Sequence, residues 1–154
     1  MIMVKKQRWF DLDNKLFTVE KALKIATQAH KGQKDKAGKE YIYHPITVAA
    51  NVETDEEKIV ALLHDVIEDT KITLDDLKCY GVGENELTAI ELLTKTDDED
   101  YFEYISKVKN NRLARNVKIA DLRHNSDLTR LKVITDKDKK RVEKYKKALT
   151  YLMK

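Results

Sequence analysis

The sequence predicts an all-helical fold. Only one proline and four glycines occur in 154 residues, so few positions interrupt a helix. No stretch alternates apolar and polar side chains, which is the main signal of a strand, whereas apolar residues recur at helical spacing from Thr18 onward. A composition of 42% hydrophobic and 37% charged residues is typical of a globular protein of one domain. We therefore predict a single domain over residues 1–154 with about eight helices.

The first two helices are delimited by a glycine and a proline. Apolar positions after Thr18 follow helical spacing until Gly32, and a charged loop follows. Pro45 predicts the first turn of a short helix through about Val52, because its fixed φ is helical and its missing N–H is not needed there. This interpretation places His44 at the helix cap.

The later helices are signalled mainly by capping residues. A threonine followed three residues later by an acid forms a capping box at Thr54 with Glu57 and at Thr73 with Asp76. We expect the first of these helices to continue to Asp69 and the second to end near Gly81. Further helices are predicted at about 84–95, 98–109 and 112–131, and a C-terminal one at about 136–153.

Cysteine content and charge narrow the range of functions. The only cysteine, Cys79, excludes an intrachain disulfide and a cysteine-cluster zinc site, so we expect a cytoplasmic protein. Thirty basic and 27 acidic residues are interspersed, with a net charge of +3, which argues against a nucleic-acid polymer and fits a small anionic substrate. The apolar start MIMV is too short for a signal peptide or a membrane span. Nothing in the sequence specifies an oligomeric state.

The segment ALLHDVIEDT, residues 61–70, carries four ionisable groups beside an apolar run. Burying such groups without partners is costly, so a compensating charge is expected. On a helical wheel His64, Asp65, Glu68 and Asp69 share one sector, opposite the apolar side chains. An adjacent histidine and aspartate can bind one divalent cation, which would neutralise the cluster. The alternative is an ordinary solvated helix face.

Other ligands for such a cation must come from elsewhere in the chain. His44 is the best-placed histidine, because it precedes a proline at a rigid helix start. His30 lies beside an apolar stripe, where we expect it to pack or to support ligands. Asp121 follows two apolar residues in KIADLRHN, so it is expected to be partly buried and paired with a cation or, alternatively, with Lys118 or Arg123.

The order His44, His64–Asp65 and Asp121 resembles the motif H…HD…D of the HD-domain phosphohydrolases, an all-helical superfamily. The segments HKGQKDKAGKEYIYHPITVAA, ALLHDVIEDTKIT and VKIADLRHN are similar to successive signatures of the hydrolase domain of RelA/SpoT proteins. That domain removes the 3′-pyrophosphate from the alarmones ppGpp and pppGpp. The resemblance covers about residues 22–131 and leaves no length for the synthetase and regulatory domains, so it implies a small stand-alone alarmone hydrolase.

The resemblance implies a role for each residue of the cluster. One metal ion, typically manganese, would be held by His44, His64, Asp65 and Asp121, although the ligand types suit Mn, Fe or Zn equally. Glu68 and Asp69 match the family's Glu-Asp pair, which would orient and deprotonate the water that attacks the 3′-side phosphorus.

The resemblance also implies two substrate contacts and shows one departure. Lys36 would meet phosphate oxygens, and Asn125 would contact the nucleotide. Asp35-Lys36-Ala37-Gly38 stands where the family typically has Arg-Lys-Ser-Gly. The family's arginine helps to hold the guanine base, which a carboxylate cannot do by stacking. An HD phosphohydrolase of another nucleotide therefore stays an alternative, and a non-catalytic nucleotide-sensing module is a further one.

Overall fold

The computed structural model describes residues 16–154, and the expectation for the apolar start of the chain lies outside the described residues. Within this range the all-helical prediction is confirmed, with an isolated antiparallel bridge between Lys34 and Glu40 and no strand. Residues 16–154 contain nine α-helices and one 3₁₀ helix (Leu128–Arg130). The α-helices are α1 (Val19–Ala29), α2 (Tyr43–Ala50), α3 (Asp55–Leu63), α4 (Val66–Asp69), α5 (Leu74–Cys79), α6 (Glu84–Leu93), α7 (Tyr101–Lys109), α8 (Arg112–Asn125) and α9 (Asp136–Met153). Across residues 16–154 there is no helix of the length and apolarity that a bilayer crossing requires.

The described residues contain one more α-helix than was predicted, because the expected helix through Asp69 is interrupted at His64 and Asp65. The capping box that begins α3 is present as predicted. At the end of α3 the ring Nδ1 of His64 lies 2.5 Å from the carbonyl oxygen of Ala61, the group that the backbone N–H of Asp65 would satisfy in a continuous helix. Asp65 has φ −102° and ψ −2°, and its carbonyl begins α4 by accepting the N–H of Asp69.

This interruption corrects the helical-wheel interpretation in one respect. The apolar sector is buried as expected, with Val60, Leu63 and Val66 fully enclosed. His64 does not share the solvated face, because the turn directs it inward until only 3% of it is exposed. Glu68 and Asp69 do stay at the surface.

The prediction that His44 caps its helix is wrong. Helix α2 begins at Tyr43, so His44 lies in its first turn and Pro45 is its third residue. Pro45 is tolerated there because the first four N–H groups of a helix have no intrahelical acceptor. The N–H of His44 instead donates to the carbonyl of Tyr41 at 2.9 Å.

The other differences concern helix ends. Helix α8 stops at Asn125 and not near Leu131, because Asp127 accepts the backbone N–H of Thr129 and begins the separate 3₁₀ turn. Helix α7 begins at Tyr101 with Asp100 as its cap. Helix α6 ends at Leu93, two residues short of the prediction.

Helix α3 lies at the centre of the fold, where it packs against α1, α2, α6 and α8. Its residues Val60, Ala61 and Leu63 have no exposed surface. The C-terminal helix α9 packs on α7 and α8 through Val142 and Leu152, and its lysines remain exposed as predicted. The central position of α3 brings its C-terminal end against α2 and α8, the two helices that carry the other predicted ligands.

Candidate active site

The four residues predicted to bind metal converge from α2, from the turn between α3 and α4, and from α8. Oδ1 of Asp121 lies 2.8 Å from Nε2 of His44 and 3.2 Å from Nε2 of His64. Oδ2 of Asp65 lies 3.0 Å from the same His64 nitrogen and 3.8 Å from that of His44. One ligand atom from each residue falls within 4.8 Å of all the others. We call this set the His-Asp group.

The charges of the His-Asp group compensate one another. Burial alone would lower the pKa of His64, but the carboxylates of Asp65 and Asp121 raise it well above its usual range. Burial would likewise raise the pKa of Asp65, but the charge of His64 and its hydrogen bond bring it down to about 2. The raised pKa favours a protonated His64, whose positive charge would offset the carboxylates as a bound cation would. Two imidazole nitrogens and two carboxylates suit a divalent ion, and binding it would release that proton.

Residues behind the His-Asp group hold its members in place. Asp121 uses one oxygen for the histidines and the other for Nζ of Lys118, at 2.9 Å, so the pairing with Lys118 that the sequence offered as an alternative is present. Pairing with a metal ion stays a prediction. The Lys118 ammonium keeps the pKa of Asp121 well below its usual range despite burial. The Tyr41 hydroxyl donates to Oδ2 of Asp65 at 2.5 Å.

The sequence did not reveal Tyr41 or His124. The ring of His124 stacks on His44 at a centroid distance of 4.9 Å, and the two Nδ1 atoms are 2.7 Å apart. Because this contact occupies Nδ1 of His44, it leaves Nε2 of that ring turned toward the His-Asp group. The only signal for His124 was its place one helical turn after Asp121.

Glu68 and Asp69 lie on α4 at the edge of the His-Asp group, and one carboxylate oxygen of each accepts a hydrogen bond. Oε1 of Glu68 accepts the backbone N–H of Lys95 at 3.1 Å, and Oδ2 of Asp69 accepts from the side-chain amide of Gln33 at 3.2 Å. Partial burial, and then the charge of Asp65, raise the pKa of both carboxyl groups. A raised pKa makes a carboxylate a better proton acceptor.

A cavity of about 290 Å³ opens beside the His-Asp group. His44 and Asn125 form part of its wall, and Lys36 reaches it from the loop between α1 and α2. Arg130 and Arg141 also line it. The nitrogen Nδ2 of Asn125 donates to Asp121 at 3.2 Å, so this residue connects the cavity with the His-Asp group. Both predicted substrate-binding residues therefore lie at the cavity, and the two arginines were not foreseen.

Asp35, the departure from the family pattern, faces one of these arginines. Its Oδ1 accepts the backbone N–H groups of Ala37 and Lys39, both at 2.9 Å, which shapes the loop around Gly38. Its Oδ2 lies 3.9 Å from Nη1 of Arg130, which lines the same cavity. A guanidinium group is thus present at the cavity although it is missing from the loop. No sequence signal links positions so distant along the chain.

An all-helical domain built around a buried His-Asp group of this order resembles the HD-domain proteins. Comparisons with known proteins show which proteins the chain is similar to. Residues of the chain are 38% identical over 90 positions, 55% of the chain, to the bifunctional (p)ppGpp synthase/hydrolase SpoT of Escherichia coli. They are 48% identical over 65 positions, 39% of the chain, to a putative chloroplastic GTP diphosphokinase of Arabidopsis thaliana. No protein-family model matches the chain.

The aligned residues make up 12% and 7% of the length of these two relatives. A solved structure described as a metazoan orthologue of SpoT that hydrolyses ppGpp aligns with a TM-score of 0.68 and 23% identity. That alignment covers 88% of this chain and 85% of the other, so the two share a fold. The resemblance to the hydrolase domain of RelA/SpoT proteins is confirmed.

Proposed function

We propose that this protein hydrolyses the 3′-pyrophosphate of the guanosine alarmones ppGpp and pppGpp, giving GDP or GTP and pyrophosphate. The observation that supports the proposal most directly is the position of His44, which belongs both to the His-Asp group and to the wall of the cavity. A phosphate ester bound in the cavity therefore lies against the groups that suit a divalent ion. The similarity to SpoT, a (p)ppGpp synthase/hydrolase, supports the choice of guanosine alarmones as the substrate class.

In this proposal the four residues of the His-Asp group hold one divalent ion, with Mn²⁺ as the preferred metal. Such an ion, when bound, would polarise a phosphoryl oxygen and would lower the pKa of a water molecule that it binds. The protein supplies the fixed geometry, because His124, Tyr41 and Lys118 each restrain one ligand. The metal preference follows from the resemblance, since the donor atoms suit several ions.

Glu68 and Asp69 act in this proposal on the attacking water. The water oxygen forms a bond to the phosphorus attached to the ribose 3′ oxygen, and a carboxylate accepts the water proton. The bond between that phosphorus and the 3′ oxygen breaks, and the leaving oxygen takes up a proton. The raised pKa of both carboxyl groups makes each carboxylate a better proton acceptor than an ordinary exposed one.

The cavity binds the nucleotide through its polar wall. Lys36 meets phosphate oxygens, and Asn125 contacts the nucleoside while it also holds Asp121. Arg130 offers a flat guanidinium surface on which the base stacks, and it thereby replaces the loop arginine that has this role in the family. The alternative is hydrolysis of another nucleotide, which the carboxylate of Asp35 at the cavity favours.

The deciding experiment is incubation of the purified protein plus Mn²⁺ with ppGpp, pppGpp and a panel of other nucleotides, with products separated by chromatography. We expect pyrophosphate and GDP or GTP from the alarmones only. The Glu68→Gln protein, treated identically, is the control for a contaminating hydrolase. Turnover of another nucleotide alone would support the alternative. Binding of alarmones without turnover would instead indicate a sensing module.

A further inference from the structure

The segment His30–Gln33 has no role in the proposed function, yet it contacts Asp69 at the edge of the site. Only 1% of His30 is exposed, and its Nδ1 lies 2.8 Å from Oε1 of Gln33. The amide nitrogen Nε2 of Gln33 lies 3.2 Å from Oδ2 of Asp69. These contacts form a continuous chain from a buried histidine to a carboxylate that faces the attacking water in our proposal.

The direction of each hydrogen bond in this chain follows from the chemistry of the groups. An ionised carboxylate only accepts, so the Gln33 amide presents its NH₂ to Asp69 and its oxygen to His30. The amide oxygen also only accepts, so Nδ1 of His30 carries the proton. The remaining His30 nitrogen, Nε2, is buried without a hydrogen-bond partner among the described residues. A proton on Nδ1 of His30 favours the amide orientation in which the NH₂ of Gln33 is turned toward Asp69.

The surroundings leave this chain little freedom. The His30 ring packs against Tyr41 at a centroid distance of 5.0 Å, and the backbone N–H of Tyr41 donates to the carbonyl of Gln33 at 2.9 Å. The same Tyr41 donates to Asp65. The loop between α1 and α2 is therefore attached to the site at two points, to Asp65 by the side chain of Tyr41 and to Asp69 by that of Gln33.

We propose that Gln33 is a positioning residue for Asp69 and that His30 sets the orientation of its amide. The proposal rests on the proposed function only in assigning Asp69 to the attacking water. A carboxylate that takes one hydrogen bond on a fixed oxygen keeps its other oxygen directed at the reaction. Without Gln33, the side chain of Asp69 would rotate freely on the exposed face of a helix of only four residues.

The kinetic test compares Gln33→Leu with Gln28→Leu, a matched change at an exposed glutamine of α1. Gln33→Leu should lower kcat about tenfold, the low end for losing a residue that orients a reacting group, with KM and metal content within about twofold. Gln28→Leu should change neither. In an Asp69→Asn background Gln33→Leu should cost nothing further, because the group that it positions is gone. A full tenfold loss in that background would overturn the proposal.

A second test does not need activity, so it separates this proposal from the proposed function. Amide-proton exchange of the side chains is measured by ¹⁵N-edited NMR, with Gln33 assigned by its loss in Gln33→Leu. The Gln33 amide should exchange at least about tenfold more slowly than that of Gln28, and this protection should disappear in Asp69→Ala and in His30→Phe. Equal exchange for the two glutamines in the unmodified protein would overturn the proposal. A protected Gln33 amide in an inactive protein would overturn only the proposed function.

Discussion

The His-Asp group and the rim of the cavity beside it are built on different principles. Three members of the group, His44, His64 and Asp121, are 3–4% exposed. His64 ends the central helix α3, and the other two come from α2 and α8, which pack on it. The rim is made of the loop between α1 and α2, the 3₁₀ turn, and Arg141 and Tyr145 in the first half of α9. Movement of the group would disturb the core, whereas the rim can change without such a cost. We infer that the core fixes the chemistry and the rim selects the substrate.

The largest effect is expected from removing a member of the His-Asp group. His44→Ala or Asp121→Asn should weaken metal binding by at least about a hundredfold, because one lost ligand removes both affinity and geometry. Elemental analysis after purification with Mn²⁺ measures this directly. Full occupancy in both variants would remove these residues from the ligand set. His30→Gln, a buried histidine outside the group, should keep its metal.

A stability control belongs with Asp121→Asn. This change leaves the ammonium of Lys118 buried without its carboxylate, which costs about 3–5 kcal/mol when a buried pair is broken. The double variant Lys118→Met/Asp121→Asn should recover most of that stability in urea unfolding but should stay metal-poor. Recovery of metal together with stability would mean that unfolding, and not a missing ligand, caused the loss.

Substitution of Glu68 or Asp69, which lie between the His-Asp group and the rim, is expected to give the next largest effect. Glu68→Gln and Asp69→Asn should bind metal and nucleotide but turn over about a hundredfold more slowly, the usual scale for losing a general base or a water-orienting carboxylate. Single-turnover hydrolysis of ppGpp, run beside metal analysis, is the measurement. Near-normal rates in both variants would make the pair an ordinary solvated helix face, and metal loss would make them ligands.

Prediction from sequence succeeded for the core region and was incomplete at the rim, for a physical reason. The cost of burying charge predicted a partner for Asp121 and for the His64–Asp65 pair, and His44 was the best-placed histidine. The set of four residues followed from the family resemblance, and the structure brings these four together. The interruption at His64 was missed, since it arises from a ring nitrogen that meets the Ala61 carbonyl. Arg130, His124 and Gln33 were missed as well, because their contacts depend on how distant segments pack and leave no periodic signal.

A smaller effect, confined to substrate binding, is expected at the rim. Arg130→Ala should raise KM for ppGpp about tenfold and leave kcat within about twofold, since a base-stacking guanidinium contributes about 1–2 kcal/mol to binding. Lys132→Ala, which removes a nearby exposed cation that does not line the cavity, is the matched control. An unchanged KM for Arg130→Ala would show that the base is held elsewhere. A drop in kcat alone would place Arg130 in the chemistry instead.

The smallest effect concerns stability and follows from the pKa of Glu68 and Asp69. Burial, and then the charge of Asp65, raise the pKa of both carboxyl groups in the folded protein, so folding favours their protonated forms. Their contribution to stability is therefore present below the ordinary pKa of about 4 and is lost as the pH rises through the folded pKa. Glu68→Gln and Asp69→Asn lack this loss, so each variant of the metal-free protein should be more stable than the parent at pH 8 by about 0.5 kcal/mol, a small value because both side chains are exposed to solvent. Near pH 3 the advantage should disappear. Urea unfolding at both pH values is the measurement, and an equal difference at the two would trace the effect to packing and not to charge.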